Sequence, residues 1–352
     1  MTIYQELQLD AGGSKRIIQN AKNSKEKFRH IAIYALKIVL TLAFCIGFVL
    51  IYSTLFGSEN SILGVSMLLF VLVFRFSHLG IRTSNALPCL LVIFAILAFS
   101  PHFANASNVF VALLIHLVSI FVLMFLGCHH VILSNQSTIL LSYILLNGYD
   151  VTGSAYTKRL EGIALGALLT CIIYYRNHRK TNLKRSVSDL FREFWIHSTR
   201  TKWQLAMAIG VSTTIFFASL MNLERTFWAG IAAMSVIYPF PVDTKKRLAG
   251  RLFGNILGCI LFPILYMFLP KFLSSNLGLI GGIGVALSVT YGWQSMFNSF
   301  GALAVAVGIF GVPSAIFYRL VNNLFGAFYA LGFNVLFHKI INRLARRNSC
   351  SS

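Results

Sequence analysis

Acidic side chains are scarce in this chain. Of 352 residues only 10 are Asp or Glu, against 30 Lys or Arg, and charged residues of both signs make up 11%, where soluble domains carry about a quarter. With 57% of its residues hydrophobic, the chain lacks the polar surface that a water-soluble fold requires. It contains no GxSxG, no HExxH, no P-loop and no paired-carboxylate or His-rich catalytic run, so it does not read as an enzyme, and no catalytic residue or cofactor is assigned. The six cysteines, at 45, 89, 128, 171, 259 and 350, form no CxxC pair and no metal-ligand spacing; they read as reduced core residues, with no metal implied. The first thirty residues, among them YQELQLD and SKRIIQNAKNSKEKFRH, hold no apolar stretch followed by a cleavage site, so the first spanning helix is expected to direct insertion itself. The basic residues cluster between apolar runs and not along a binding stripe, which speaks against nucleic acid as a partner.

What the chain does have is long apolar runs. A bilayer core of about 30 Å takes about 20 apolar residues per helix. Twelve candidate spans follow, near 32–55, 61–76, 86–101, 107–127, 137–149 and 158–176, then 203–222, 225–241, 249–269, 276–291, 295–312 and 316–338, the fifth being short. With the N-terminus inside, 24 basic residues fall on the inner side, five on the outer, and Lys37 near the inner end of the first helix, as the positive-inside rule asks. The expectation is an all-α polytopic membrane protein with about twelve transmembrane helices arranged as two parallel six-helix repeats. Its parts are a cytoplasmic N-terminal segment (1–31), a first six-helix unit (32–176), a basic cytoplasmic linker (177–202), a second unit (203–338) and a basic cytoplasmic tail (339–352). The location is the cytoplasmic membrane of the cell, multi-pass, with both termini inside.

RLEGIALG at 159–166 is repeated as RLFGNILG at 251–258, and RLVNNLFG at 319–326 keeps the Arg-Leu and the final Gly. Arg159, Gly162 and Gly166 share one helical stripe, as do Arg251, Gly254 and Gly258. Small residues four apart let membrane helices approach closely, so Gly162, Gly166, Gly254, Gly258 and Gly326 read as helix packing, and the same faces permit a homo-oligomer. The order FWAGIAAMSVIYPF, a basic turn DTKKR, RLFGNILGCILF and, some seventy residues later, YRLVNNLFGAFYAL resembles the fusaric-acid-resistance and aromatic-acid-exporter superfamily, most closely over 203–338 and in the first half mainly at 158–176. The resemblance implies an efflux transporter that exports aromatic or other small organic acids, driven by the proton gradient. Similar plant proteins are anion channels, which keeps a passive organic-anion channel as the alternative; a membrane scaffold or an enzyme without a recognisable motif is third. Larger members carry a sizeable cytoplasmic domain between the halves, where this chain has only its short linker, so roles attributed to that domain do not carry over.

An exporter of small organic anions, embedded among membrane lipids, needs cationic or amide groups near its path and a titratable group for proton coupling. The substrate-binding candidates are Arg159, Arg319, Asn322, Asn323, Arg251 and Asn255. Arg251 and Arg82 also fit simple snorkelling at the inner interface, and the asparagines fit bonding between helices. Arg159 and Arg319, on the outer side, are not explained by orientation. The proton-coupling candidates are Glu161, which also fits an interfacial pairing with Lys158 or Arg159, and His116, which also fits a satisfied structural histidine. His129 and His130 read as interfacial, and Trp228, Tyr238, Tyr291 and Trp293 as an aromatic belt near span ends. Pro239 and Pro241 are expected to end one helix and shape the turn into the next.

Overall fold

The computed structural model describes residues 2–9, 11–196 and 198–349; Cys350 and the end of the tail lie outside them. Among the described residues the chain is all-helical. The helices are α1 (Ile3–Leu7), α2 (Ala11–Gln19), α3 (Ser24–Phe56), α4 (Ser61–Phe74), α5 (Thr83–Asn105), α6 (Val109–Gly127), α7 (Gln136–Gly148), α8 (Gly153–His178) and α9 (Val187–Arg192). They continue with α10 (Thr199–Leu220), α11 (Phe227–Val236), α12 (Pro241–Phe268), α13 (Lys271–Ser274), α14 (Leu277–Leu287), α15 (Tyr291–Phe310) and α16 (Val312–Ser349).

Among the described residues, 7 helices are long and apolar enough to cross a membrane: α3, α5, α6, α10, α12, α15 and α16. The chain is therefore a multi-pass membrane protein. Four helices are too short to cross a bilayer unaided: α7 has the length of its short apolar run, and α4, α11 and α14 are shorter than theirs. At 1.5 Å per residue, the 13 residues of α7 span about 20 Å, well under the thickness of the hydrocarbon core; α4, α11 and α14 have 14, 10 and 11 residues. α11 stops at Val236, ahead of Pro239, and α12 starts at Pro241. α8 has the length, 26 residues, but opens GSAYTKR and closes RNH.

The chain divides into two compact units. One comprises Met1–Gly47 and Ala249–Val321. In it α12 lies against α15 at glycine contacts: a Cβ on Gly254 would run into the Gly292 carbonyl and the Met296 amide, and one on Gly258 into Ser299 and the Met296 carbonyl. Buried Glu6 of α1 faces α3, its Oε2 2.7 Å from His30 Nδ1 and its Oε1 3.4 Å from Arg29. Lys15 of α2 donates to the Leu287 carbonyl at 2.8 Å.

The other unit comprises Phe48–Leu248 and Asn322–Ser352. α4 packs along α8, where Gly162 meets Leu63 and Phe56 and Gly166 meets Met67 and Tyr52, whose hydroxyl donates to the Gly162 carbonyl at 3.3 Å. α10 runs along α6 and is tied to it by Gln204, which donates to the carbonyls of Met124 and Cys128. α11 packs on α7, and Gly326 of α16 sits directly on the backbone of Ala229 in α11. That enclosure corrects the belt reading of Trp228, which is buried beside Phe227 because its helix is too short to bring it to a lipid surface.

Candidate functional site: a polar junction at the end of α7

The last carbonyls of a helix have no partner within it and need donors from elsewhere. At the C-terminal end of α7 Arg159 supplies them. Its Nη1 donates to the Leu146 carbonyl (3.3 Å), its Nη2 to the Tyr149 carbonyl (2.6 Å) and its Nε to Asn60 Oδ1 (2.9 Å). Asn60 is itself buried and donates to the carbonyls of Phe56 and Ala155, so three segments meet on one guanidinium. A cation at a helix C-terminus is also favoured by the helix dipole. Its counter-ion is Asp150, whose Oδ1 lies 3.7 Å from Nη1.

The far side of Asp150 faces α5. His102 Nδ1 is 3.1 Å from Asp150 Oδ2, and the imidazole stacks on the ring of Tyr156 with centroids 3.9 Å apart. One turn along α5, Asn105 donates to the Asn147 carbonyl at 2.8 Å, so α5 and α7 are joined twice at this end. Beside that junction is a cleft of about 170 Å³ lined by Asn105, Ser107, Leu113, His116, Asn147 and Phe216, among others. His116, buried, reaches across to α7, its Nδ1 2.8 Å from the Tyr143 hydroxyl. The buried Oδ1 of Asn147 accepts from no donor among the described residues. Neutral polar groups beside apolar walls suit a small molecule with one polar head and an apolar body.

The helix α7 thus links two residues that the sequence nominates separately, His116 through Tyr143 and Arg159 through Leu146 and Tyr149. Asn322 joins the same surroundings by donating to the Glu224 carbonyl at 2.6 Å; the next residue, Arg225, stands over the Tyr149 ring at 5.4 Å. Asn323 is buried one residue on. Glu161 is on the exposed face of α8, and the pairing expected between it and Arg159 is corrected: the ion partner of Arg159 is Asp150, which sits on the buried side of the helix. In the other unit Arg251 and Asn255 are buried on the α12 face toward α15, with the Ser299 hydroxyl donating to Asn255 Oδ1 at 3.3 Å. Arg319 is buried there too, its charge acting on Cys259. Sequence reasoning missed Asn60, His102, Asn105, Asn147, Asp150 and Tyr156. The usable signal was the rarity of acids, which makes Asp150 conspicuous among 10.

A second cluster lies at the opposite end of these helices. Glu193, just after α9, accepts from Arg185 at 2.9 Å and from Arg200 at 3.0 Å, and lies 3.3 Å from His129 Nε2. His129 is buried in this clasp, which corrects its interfacial reading: the linker folds back over it. Burial, then the charge of Arg200, pushes His129 down to about 4. Burial pushes the Glu193 carboxyl up, but hydrogen bonds and charge from Arg200 and Arg185 outweigh it and leave it below the usual range. Among the described residues no group of three or more His, Cys, Asp or Glu is placed to hold a metal ion.

Residues 211–333 match the family model described as fusaric acid resistance protein-like, in agreement with the resemblance carried by the FWAGIAAMSVIYPF, RLFGNILGCILF and YRLVNNLFGAFYAL stretches. No curated protein and no solved structure matches the chain. The long apolar helices make this a multi-pass membrane protein, part of whose second half is similar to that family.

Proposed function

We propose that the protein exports small organic acids, single-ring aromatic acids foremost, from the cytoplasm across the cell membrane, with both termini on the cytoplasmic side and the α7 junction toward the outside. The observation that carries this reading is the cleft. A cavity of about 150 Å³ holds one benzene ring, so a cleft of about 170 Å³ has room for a single-ring acid. Leu113 and Phe216 supply walls for the ring, while the amide N–H₂ of Asn147 and the His116 imidazole are the donors that line the cleft for a carboxylate. Arg159, already committed to α7, acts on an anion through its charge and by fixing the junction; Asn322 and Asn323 support the neighbouring loop. Arg319, Arg251 and Asn255 form a further cationic and amide set, within the other unit. The proton gradient drives export, with His116 and the His102–Asp150 pair closer to the cleft than Glu161.

One observation favours the alternative, a passive anion channel: the seven long apolar helices carry only Glu26 and Asp243 as acids, each in a first turn, so none offers a carboxylate at mid-depth to carry a proton. Proteoliposomes loaded with benzoate separate the readings. A coupled exporter moves it several-fold faster under an imposed pH gradient at zero membrane potential; a channel conducts it at a rate set by voltage alone. Ser219 of α10 also lines the cleft, and filling it with Ser219→Leu is expected to cut benzoate flux about tenfold without unfolding the protein; undiminished flux would show that the acid does not pass through the cleft.

A further inference from the structure

We propose that His102 and Asp150 form a proton-binding site that sets how firmly Arg159 holds the last turn of α7. The carboxylate of Asp150 is shared. One face is 3.1 Å from His102 Nδ1, the other 3.7 Å from Arg159 Nη1. Arginine stays charged at every physiological pH, whereas an imidazole gains or loses its charge near neutrality. With His102 neutral, one anion faces one cation. When His102 takes a proton, two cations contest one carboxylate, the His102–Asp150 attraction strengthens, and Asp150 is drawn from Arg159.

That change is transmitted because the same guanidinium holds the Leu146 and Tyr149 carbonyls. Between those two anchor points lies Asn147, whose side chain lines the cleft, and one turn earlier lies Tyr143, the partner of His116. The exposures fit an accessible proton site. The side chains of His102 and Asp150 are 24% and 18% exposed while that of Arg159 is 3%, so a proton reaches the pair without opening the clasp. The other titratable or charged groups around the pair are few: Tyr156 of α8 stacks on His102, Arg225 stands over Tyr149, and Glu59, Lys158 and Glu161 on neighbouring segments are exposed.

This deepens the exporter reading, and its meaning for transport rests on that reading; proton binding itself is measurable without any substrate. The test is hydrogen exchange of the purified full-length protein in nanodiscs, followed as protection factors for peptides covering 142–150 between about pH 8 and pH 5. The expected result is a loss of protection of about tenfold on acidification in the wild type, absent in His102→Gln and in Asp150→Asn, and retained in Glu193→Gln at the opposite end. A flat wild-type profile, or a wild-type response in either folded variant of the pair, overturns the proposal. Should one variant not fold, the other decides. Benzoate flux indifferent to a pH gradient would defeat the coupled-export reading while leaving the exchange response in place, so the two failures are told apart.

Discussion

A guanidinium offers five N–H donors in a fixed plane, and Arg159 spends them on Asn60 and on two carbonyls at the end of α7. No other side chain spans that set, because a lysine ammonium has the charge without the reach in a plane. Arg159→Ala strands Asn60, two backbone acceptors and the Asp150 carboxylate in a buried site; a loss of about 3 kcal/mol is expected, read as a fall in thermal midpoint in detergent. Arg159→Lys should recover less than half of that loss. Equal melting of both variants and the wild type would show that the clasp is not structural. The sequence made Arg159 visible, because the expected topology puts it on the side where the positive-inside rule depletes arginine. It could not reveal the partners, which lie 99 residues upstream at Asn60 and 13 at Leu146, since apolar periodicity carries no information about which helices meet.

The helices themselves were legible as apolar runs, because the bilayer dictates their composition. Their lengths were less so: the short run of α7 was visible, but α11 is 10 residues long where the apolar run covers 225–241, because Pro239 and the turn into α12 cut it off at Val236. The glycines of the repeated Arg-Leu segments mark close contacts. Gly166 faces the Met67 thioether and the Tyr52 hydroxyl, and Gly326 the Ala229 backbone, so substitutions there differ in kind. A flexible methionine can give way, whereas a backbone cannot. Gly166→Ala is expected to cost about 1 kcal/mol and Gly326→Ala about 3 kcal/mol; thermal unfolding of the two variants side by side should rank them so, and the reverse order would contradict the α11–α16 packing.

For the molecule as a whole, the linker clasp ties stability to acidity. His129 is held near 4, well below its ordinary value, so the unfolded chain binds a proton there that the folded chain refuses as pH falls from about 6.5. Glu193 is depressed too, so its contribution is present above the ordinary glutamate value and lost as pH falls through the lowered one. Both act in the same sense: the wild type should melt at progressively lower temperature below about pH 6.5, and His129→Gln should flatten the upper part of that slope. A slope unchanged by the substitution would remove His129 as its source. The family match covers 211–333, whereas the α7 junction draws most of its side chains from 60–159, so the features that set this chain's chemistry lie largely outside the matched stretch. Finally, the shortness of α7 sets an electrical distance. On the exporter reading, with water reaching His116 from the outside, the cleft would carry the outside potential down into the membrane. The transmembrane voltage, about 2.3 kcal/mol per unit charge for every 100 mV, then drops over the remaining thickness alone. On that reading, an organic anion leaving an interior-negative cell would meet a steeper field there than an unbroken bilayer imposes.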